Sequence, residues 1–214
     1  MDHLLHEAKH FSIRDFDCSS NLYVLHQRIV QDSYRALGYL CDEDVPTGIL
    51  KDPYDNAGAQ YALLFDPTTH APSGTFRIVV PLPEQGLPFH CAYPELRNDE
   101  QTHACEPTRV VSTRKTDMLH TPNSIVYSVL FEAVVRSIAF AKKNDLPAVI
   151  SLGTPPIMRW INGTFGKIQN TVGPKKFYKG GYVIPCRVKV ADYEEMTHVD
   201  HPIIWEYYST LVEL

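Results

Sequence analysis

Apolar residues recur along this chain with two rhythms, and the switch between them marks out its elements. Over residues 19–38, Leu22, Leu25, Ile29, Val30 and Leu37 return near helical spacing, with Ser19 or Ser20 able to cap the start and Gly38 as a stop. A loop follows, punctuated by Asp42 to Asp44, Pro46, Gly48, Pro53 and Gly58. Residues 60–65 and 75–80 are short apolar runs joined by the turn-rich stretch 66–74, which predicts a hairpin. Residues 81–101, rich in Pro and Gly, predict a surface excursion, and 104–112 a third strand. Thr121-Pro122-Asn123 opens a long helix with Pro at its first position, and Ile125, Val129, Ala133 and Ile138 lie near one face until about Asn144. Residues 146–152 are almost wholly apolar, the pattern of a strand buried on both faces. A helix over 155–161 and a last strand over 181–190 complete the series.

That order predicts an α/β fold, a three-layer α-β-α sandwich with a mixed central sheet, occupying residues 1–190 as one domain. No Gly-x-Gly-x-x-Gly follows a strand and no P-loop is present, so a dinucleotide or nucleotide fold is not indicated. Residues 191–214 form an acidic extension. Ile203, Ile204, Trp205, Tyr207, Tyr208 and Leu211 anchor it in the predicted form, a short helix packed on the body or on a second subunit.

Composition narrows the class. The 214 residues are 44% hydrophobic and 21% charged, ordinary for a globular protein. No apolar run approaches the roughly 18–20 residues that span a bilayer. The first residues lack the basic start and apolar stretch of a secretory signal, so a cytoplasmic location is expected. Five cysteines, widely spaced and without a Cys-x-x-Cys pair, argue for reduced thiols and against a structural zinc site. The ten histidines make no metal pattern; His198-Val199-Asp200-His201 comes nearest.

Charge is distributed unevenly. Residues 1–108 hold seven Lys and Arg against sixteen Asp and Glu, a balance of −9. Residues 109–190 hold thirteen against three, a balance of +10, and residues 191–214 none against six, a balance of −6. A basic middle in a chain of net charge −5 suggests an anionic partner, set against a plain solvated surface. Nucleic acid is not that partner, because no recognition motif appears and the whole chain is acidic.

The chemistry concentrates in short fragments. Asp52-Pro53-Tyr54-Asp55, Gly74-Thr75-Phe76-Arg77 and Glu106-Pro107-Thr108-Arg109 supply three carboxylates and two guanidiniums, set among strands or their approaches. Ionised groups rarely sit beside apolar strands unless paired. Such a set is a structural ion-pair network, an active site, or both.

In order and spacing, these fragments resemble motifs of the autoinducer-synthase branch of the N-acyltransferases. That branch comprises acyl-homoserine-lactone synthases and N-acyl amino acid synthases. Asp52-Pro53-Tyr54-Asp55 resembles its acidic Asp-x-Tyr-Asp motif, Gly74-Thr75-Phe76-Arg77-Ile78 its Gly-Thr-x-Arg-Leu strand, and Glu106-Pro107-Thr108-Arg109-Val110-Val111 its Glu-x-Ser-Arg-Phe-Val strand. The resemblance covers roughly residues 22–190. It implies a GNAT-type fold whose central sheet splays open to admit the pantetheine arm of an acyl donor. Homoserine-lactone synthases usually carry an Arg-x-x-x-Phe pair and a Trp around the first helix. Here Arg28, Tyr34 and Tyr39 fall out of that spacing, and Cys105 stands where an aromatic usually precedes the Glu. The stretch from Tyr178 to Pro185 resembles the N-acyl amino acid synthases better.

The implied function is transfer of a fatty acyl group from acyl carrier protein, or acyl-CoA, to the amine of an amino acid or similar acceptor. No permanent cofactor or metal is expected. The alternatives are a homoserine-lactone synthase using S-adenosylmethionine and a non-catalytic acyl-binding module. An amine attacks a thioester only when unprotonated, and a carboxylate on an apolar strand, raised in pKa by desolvation, suits the task of general base. Glu106 is that carboxylate and Arg109 its companion. Three positions apart, they would face opposite ways on an ideal strand, so a bulge is expected between them. Asp52 and Asp55 near Arg77, with Arg28, form the expected acceptor site. On the donor side, the Val111 and Ser112 amides would meet the oxyanion. Arg114, Lys115, Lys142 and Lys143, joined by Lys175, Lys176 and Lys179, would meet an acidic carrier protein. Val129, Phe131, Leu152, Met158 and Trp160 are the expected wall of the acyl cavity. A homodimer is compatible with the pattern.

Overall fold

The computed structural model describes residues 11–40, 43, 45, 48, 50–56, 58–97, 103–113, 125–179 and 181–213. They form an α/β fold divided into two compact units: residues 1–79 with 108–133, and residues 80–107 with 134–214. Arg114, Lys115 and the start of the long helix at 121–123 lie outside the described residues.

The first unit is built on a sheet of order β1-β2-β3-β4. Its strands are β1 (Ser12–Phe16), β2 (Gln60–Phe65), β3 (Pro72–Val79) and β4 (Glu106–Ser112), of which β1–β2 and β2–β3 pair antiparallel. Helix α1 (Asn21–Ala36) packs on β2 and β3. The Ser20 side chain caps it by accepting from the Leu22 N–H, satisfying one of the donors a helix start leaves open. Ile29, Val30, Leu63 and Val111 make the heart of this core. Strand β1 is not predicted from the sequence, because Ser12-Ile13-Arg14-Asp15-Phe16 is mostly polar; it adds to an edge, where backbone pairing suffices.

In the second unit β5 (Ala148–Gly153), β6 (Gln169–Thr171) and β7 (Lys176–Tyr178) all pair antiparallel with β8 (Gly181–Lys189). Cys105 makes a parallel bridge to Val149, with its N–H 3.2 Å from the Ala148 oxygen and its carbonyl accepting from Ile150 at 2.9 Å. The long helix α2 (Ile125–Lys143) runs through both units, and α3 (Pro155–Phe165) and α4 (Val190–Asp200) pack on β8.

Two expectations change. The excursion at 81–101 is not a surface loop in its described part: Leu87, Phe89 and Tyr93 are fully buried. Two 3-10 turns, Pro88–Cys91 and Pro94–Leu96, carry them, and the Tyr93 hydroxyl lies 2.8 and 2.9 Å from the carbonyl oxygens of Pro174 and Val183. Proline and glycine marked turns correctly, but three large apolar side chains turned the segment inward. The acidic tail forms two helices, α4 and α5 (Pro202–Glu213), and packs within the second unit through Tyr193 and Tyr208, whose rings stand 5.3 Å apart.

Gly74 shows how closely the first unit is packed. An added Cβ would stand 2.3 Å from Val129 Cγ2 and 2.9 Å from the Val111 carbonyl oxygen. The substitution Gly74→Ala is expected to lower stability by about 1–3 kcal/mol, read as a lower urea midpoint at unchanged slope.

Candidate active site

The turn that opens the site follows from its own residues. Pro53 supplies the φ that the second position of a β-turn needs, and the Asp55 N–H reaches the Asp52 carbonyl at 3.0 Å. The Asp52 carboxylate accepts from the Tyr54 amide at 2.9 Å, and the Asp55 carboxylate from the Asp52 amide at 2.9 Å. Both acids are thereby aimed before any cation arrives.

Two arginines meet them. Arg77, on β3 and 2% exposed, donates from Nη1 to Asp52 Oδ1 at 2.7 Å and to Asp55 Oδ1 at 2.8 Å, and from Nη2 to Asp52 Oδ2 at 3.0 Å. Its Nε donates to the Thr108 hydroxyl at 3.0 Å. Arg109, on β4, donates to Asp52 Oδ2 at 2.8 Å, to Asp55 Oδ1 at 3.2 Å and to Gln27 Oε1 at 2.8 Å. The Tyr61 hydroxyl donates to Asp55 at 2.8 Å. Two carboxylates and two guanidiniums thus form one neutral cluster inside the first unit. Asp55 is almost wholly buried, while a third of the Asp52 side chain stays exposed. Burial pushes the Asp55 carboxyl up, but Arg109, Arg77, the Asp52 amide and Tyr61 together hold it below the ordinary carboxylate value.

The expected break between Glu106 and Arg109 lies at Arg109 itself. Its φ of +52° places it in the left-handed region, which a side chain seldom adopts, and this breaks the alternation of β4. The turn of chain delivers Arg109 to the acid pair. Glu106 is held separately: 4% exposed, its Oε2 accepts from the Phe89 N–H at 2.9 Å within the second unit. Phe89 belongs to the buried 3-10 segment that the sequence pattern assigned to the surface.

Other expected residues are distributed as follows. Arg28 is exposed on α1 and outside the cluster; its neighbour Gln27 makes the contact to Arg109 instead. Val111 is buried and Ser112 half-buried on β4, with the Ser112 hydroxyl donating to the Ser73 carbonyl at 3.3 Å. Lys142 is committed to Glu194 of the tail at 3.0 Å, and Lys143 beside it is exposed. Lys176 pairs with Glu95. The basic middle is thus partly met by acids distant in sequence, although such exposed pairs contribute only about 0–1 kcal/mol each.

Sequence reasoning missed Gln27, Tyr61, Thr108 and the buried pair His26–Thr75. A signal existed for the first and fourth: Gln27 and His26 lie on the side of α1 that the Ile29–Val30 pattern turns inward. The Thr75 hydroxyl donates to the Ala62 carbonyl at 2.6 Å, so its oxygen accepts from His26 Nδ1 at 2.7 Å, which leaves Nε2 as the unprotonated nitrogen. Burial, then Arg109 and Arg77, push His26 down to about 3, so it is neutral at pH 7.

In the second unit a cavity of about 20 Å³ is lined by Pro107, Val134, Ile138, Val149, Ser151, Ile161, Gln169 and Val188. That volume admits about one water. None of Val129, Phe131, Leu152, Met158 or Trp160, the expected wall, lines it. Burial raises the thiols of Cys105 and Cys186, the latter to about 12, so neither is an activated nucleophile. Among the described residues no group of three His, Cys, Asp or Glu could hold a metal, and no helix is long and apolar enough to cross a membrane.

No protein-family model and no curated protein sequence matches the chain. Solved structures do. FeeM, an N-acyl amino acid synthase from uncultured soil microbes, aligns with a TM-score of 0.61 at 20% identity over 87% of this chain and 93% of its own. TofI, in a ternary complex with an inhibitor and MTA, aligns at 0.60 and 16% identity over 90% and 99%. The acyl-homoserine-lactone synthase LasI aligns at 0.60 and 15% identity over 84% and 90%. The chain therefore has the fold of these autoinducer-synthase-like acyltransferases.

Two expected outcomes follow from the cluster. Asp55→Asn leaves two buried guanidiniums facing one carboxylate and should cost about 3–5 kcal/mol in urea unfolding. Because His26 is held below its unfolded value, the unfolded chain takes up a proton first as pH falls below about 6.5. Its contribution to stability is therefore complete above that pH and is lost on the way down to about 3. The variant His26→Gln should flatten the stability–pH curve in that window by up to about 1.4 kcal/mol per pH unit.

Proposed function

We propose that this chain is an N-acyltransferase that moves an acyl group from a thioester donor, acyl carrier protein or acyl-CoA, to the amine of an amino acid or similar small acceptor. The observation that carries the proposal is the buried cluster of Asp52, Asp55, Arg77 and Arg109 in the first unit, in a fold shared with FeeM. Glu106 takes the proton from the acceptor ammonium, directly or through water. The freed nitrogen attacks the thioester carbonyl carbon, the C–N bond forms, the C–S bond breaks, and the sulfur leaves as thiolate to be protonated. Amides of Val111 and Ser112 stabilise the oxyanion. Asp52, a third exposed at the edge of the cluster, offers the acceptor ammonium a carboxylate already fixed in place by two guanidiniums.

Burial raises the thiols of Cys105 and Cys186, which removes those two as acyl carriers, and direct transfer is the simpler course. An amino acid acceptor is favoured over S-adenosylmethionine because Arg28, Tyr34 and Tyr39 fall out of the spacing usual in homoserine-lactone synthases.

A second reading, an acyl-binding module without turnover, is favoured by the burial of Glu106 beneath the Phe89 amide. Glu106→Gln separates the two, since a glutamine oxygen can still accept from Phe89 and preserve the fold. With acyl carrier protein or acyl-CoA and a panel of amino acids, the enzyme reading expects an N-acyl product from the parent chain and at least tenfold slower formation in the variant. Donor binding unaffected by the change, with no N-acyl product from either protein, would establish the binding module instead.

A further inference from the structure

The β7–β8 hairpin carries two exposed rings that the acyl-transfer reading does not use, beside lysines that the sequence pattern assigned to a carrier protein. Phe177 and Tyr182 are direct cross-strand partners, so their side chains share one face, and their rings meet edge-on at 5.4 Å. Yet Phe177 is 67% and Tyr182 55% exposed. The alternate positions are occupied differently: Lys176 lies over the Tyr93 ring and pairs with Glu95, and Tyr178 is half-buried. One face of the ribbon is thus fastened to the protein, and the other offers two aromatic rings to the surroundings.

Lysines stand beside those rings and at the tip of the hairpin. The Lys175 ammonium is 4.2 Å from the centre of the Tyr182 ring. Lys179 occupies the turn between Tyr178 and Gly181, with its ammonium 5.7 Å from the centre of the Tyr178 ring. Lys179 has a φ of +45°, where glycine or asparagine is the ordinary choice, so a charge sits at the tip despite a conformational cost. From Gly173 to Tyr182 the sequence contains three lysines and no acid.

We infer that this aromatic–lysine face docks the protein on an anionic lipid surface. Tyrosine and phenylalanine settle at the boundary between headgroups and acyl chains, and lysines reach back to the phosphates. Each lysine near an anionic leaflet adds an attraction that salt screens. A protein partner fits the observations less well. Two half-exposed rings present roughly 250 Å², well short of the ~800 Å² per side of a stable protein complex. A membrane needs only a small wedge that enters and charges that stay outside. The inference reassigns Lys175 and Lys179 from a carrier protein to lipid; acyl transfer itself does not depend on it, and either can fail alone.

The test is co-sedimentation of the full chain with vesicles of phosphatidylcholine alone or with about a third phosphatidylglycerol. The parent should partition onto the anionic vesicles, weakly onto the neutral ones, and less at high salt. The double variants Phe177→Ser/Tyr182→Ser and Lys175→Glu/Lys179→Glu should each bind at least tenfold less, with unchanged circular dichroism. Should a double variant fail to fold, Phe177→Trp supplies a second readout, a blue shift of emission on anionic vesicles only. No partition of the parent, or equal partition of the variants, overturns the inference. So does hairpin-dependent binding of purified acyl carrier protein with no vesicle binding, which would make the face a protein-docking surface.

Discussion

Two carboxylates held between two guanidiniums, deep in the first unit, are the interaction on which the local geometry depends. Burying an ion costs several kcal/mol unless its partners replace the lost water. Here the replacement is extensive: turn amides, the Tyr61 hydroxyl, Thr108, Gln27 and the opposing charges all take part. The cluster ties together the turn at 52–55, strands β3 and β4, and helix α1. It also accounts for the unusual backbone at Arg109, since a regular strand would carry that guanidinium away from the acids. The cost of the left-handed residue, about 1–2 kcal/mol, is smaller than the cost of leaving one buried charge unmatched.

A neutral cluster does more than stabilise. Because its hydrogen bonds and charge partners already fix it, the Asp52 carboxylate does not have to reorganise, which is what the acceptor role proposed for it requires. Burial, reinforced by Arg109 and Arg77, keeps neighbouring His26 uncharged at neutral pH.

The second unit is organised on different principles. Several of its basic residues find acids or aromatic rings within the unit: Lys142 with Glu194, Lys176 with Glu95 and Tyr93, Lys175 with Tyr182. Segment 81–97 is drawn inward by Leu87, Phe89 and Tyr93, and in doing so places a backbone amide on Glu106. Packing of apolar side chains, rather than any polar motif, thus decides how that carboxylate is held.

The sequence by itself determined the long, periodic elements and the polar groups around which the site forms. Helix α1, the β2–β3 hairpin, strand β5 and helix α2 follow from apolar spacing, a local property that each segment carries within itself. The acids and arginines were legible because charged residues beside apolar strands must be paired. Which charge pairs with which was not legible. Arg109 lies three residues from Glu106 but turns to acids more than fifty residues away, and on α1 it is Gln27, not the expected Arg28, that joins the cluster. The edge strand β1 and the buried course of 81–97 likewise depend on partners remote in the chain. Local periodicity says which face of a segment must be covered; only the tertiary structure decides what covers it, because that choice is made by distance in space.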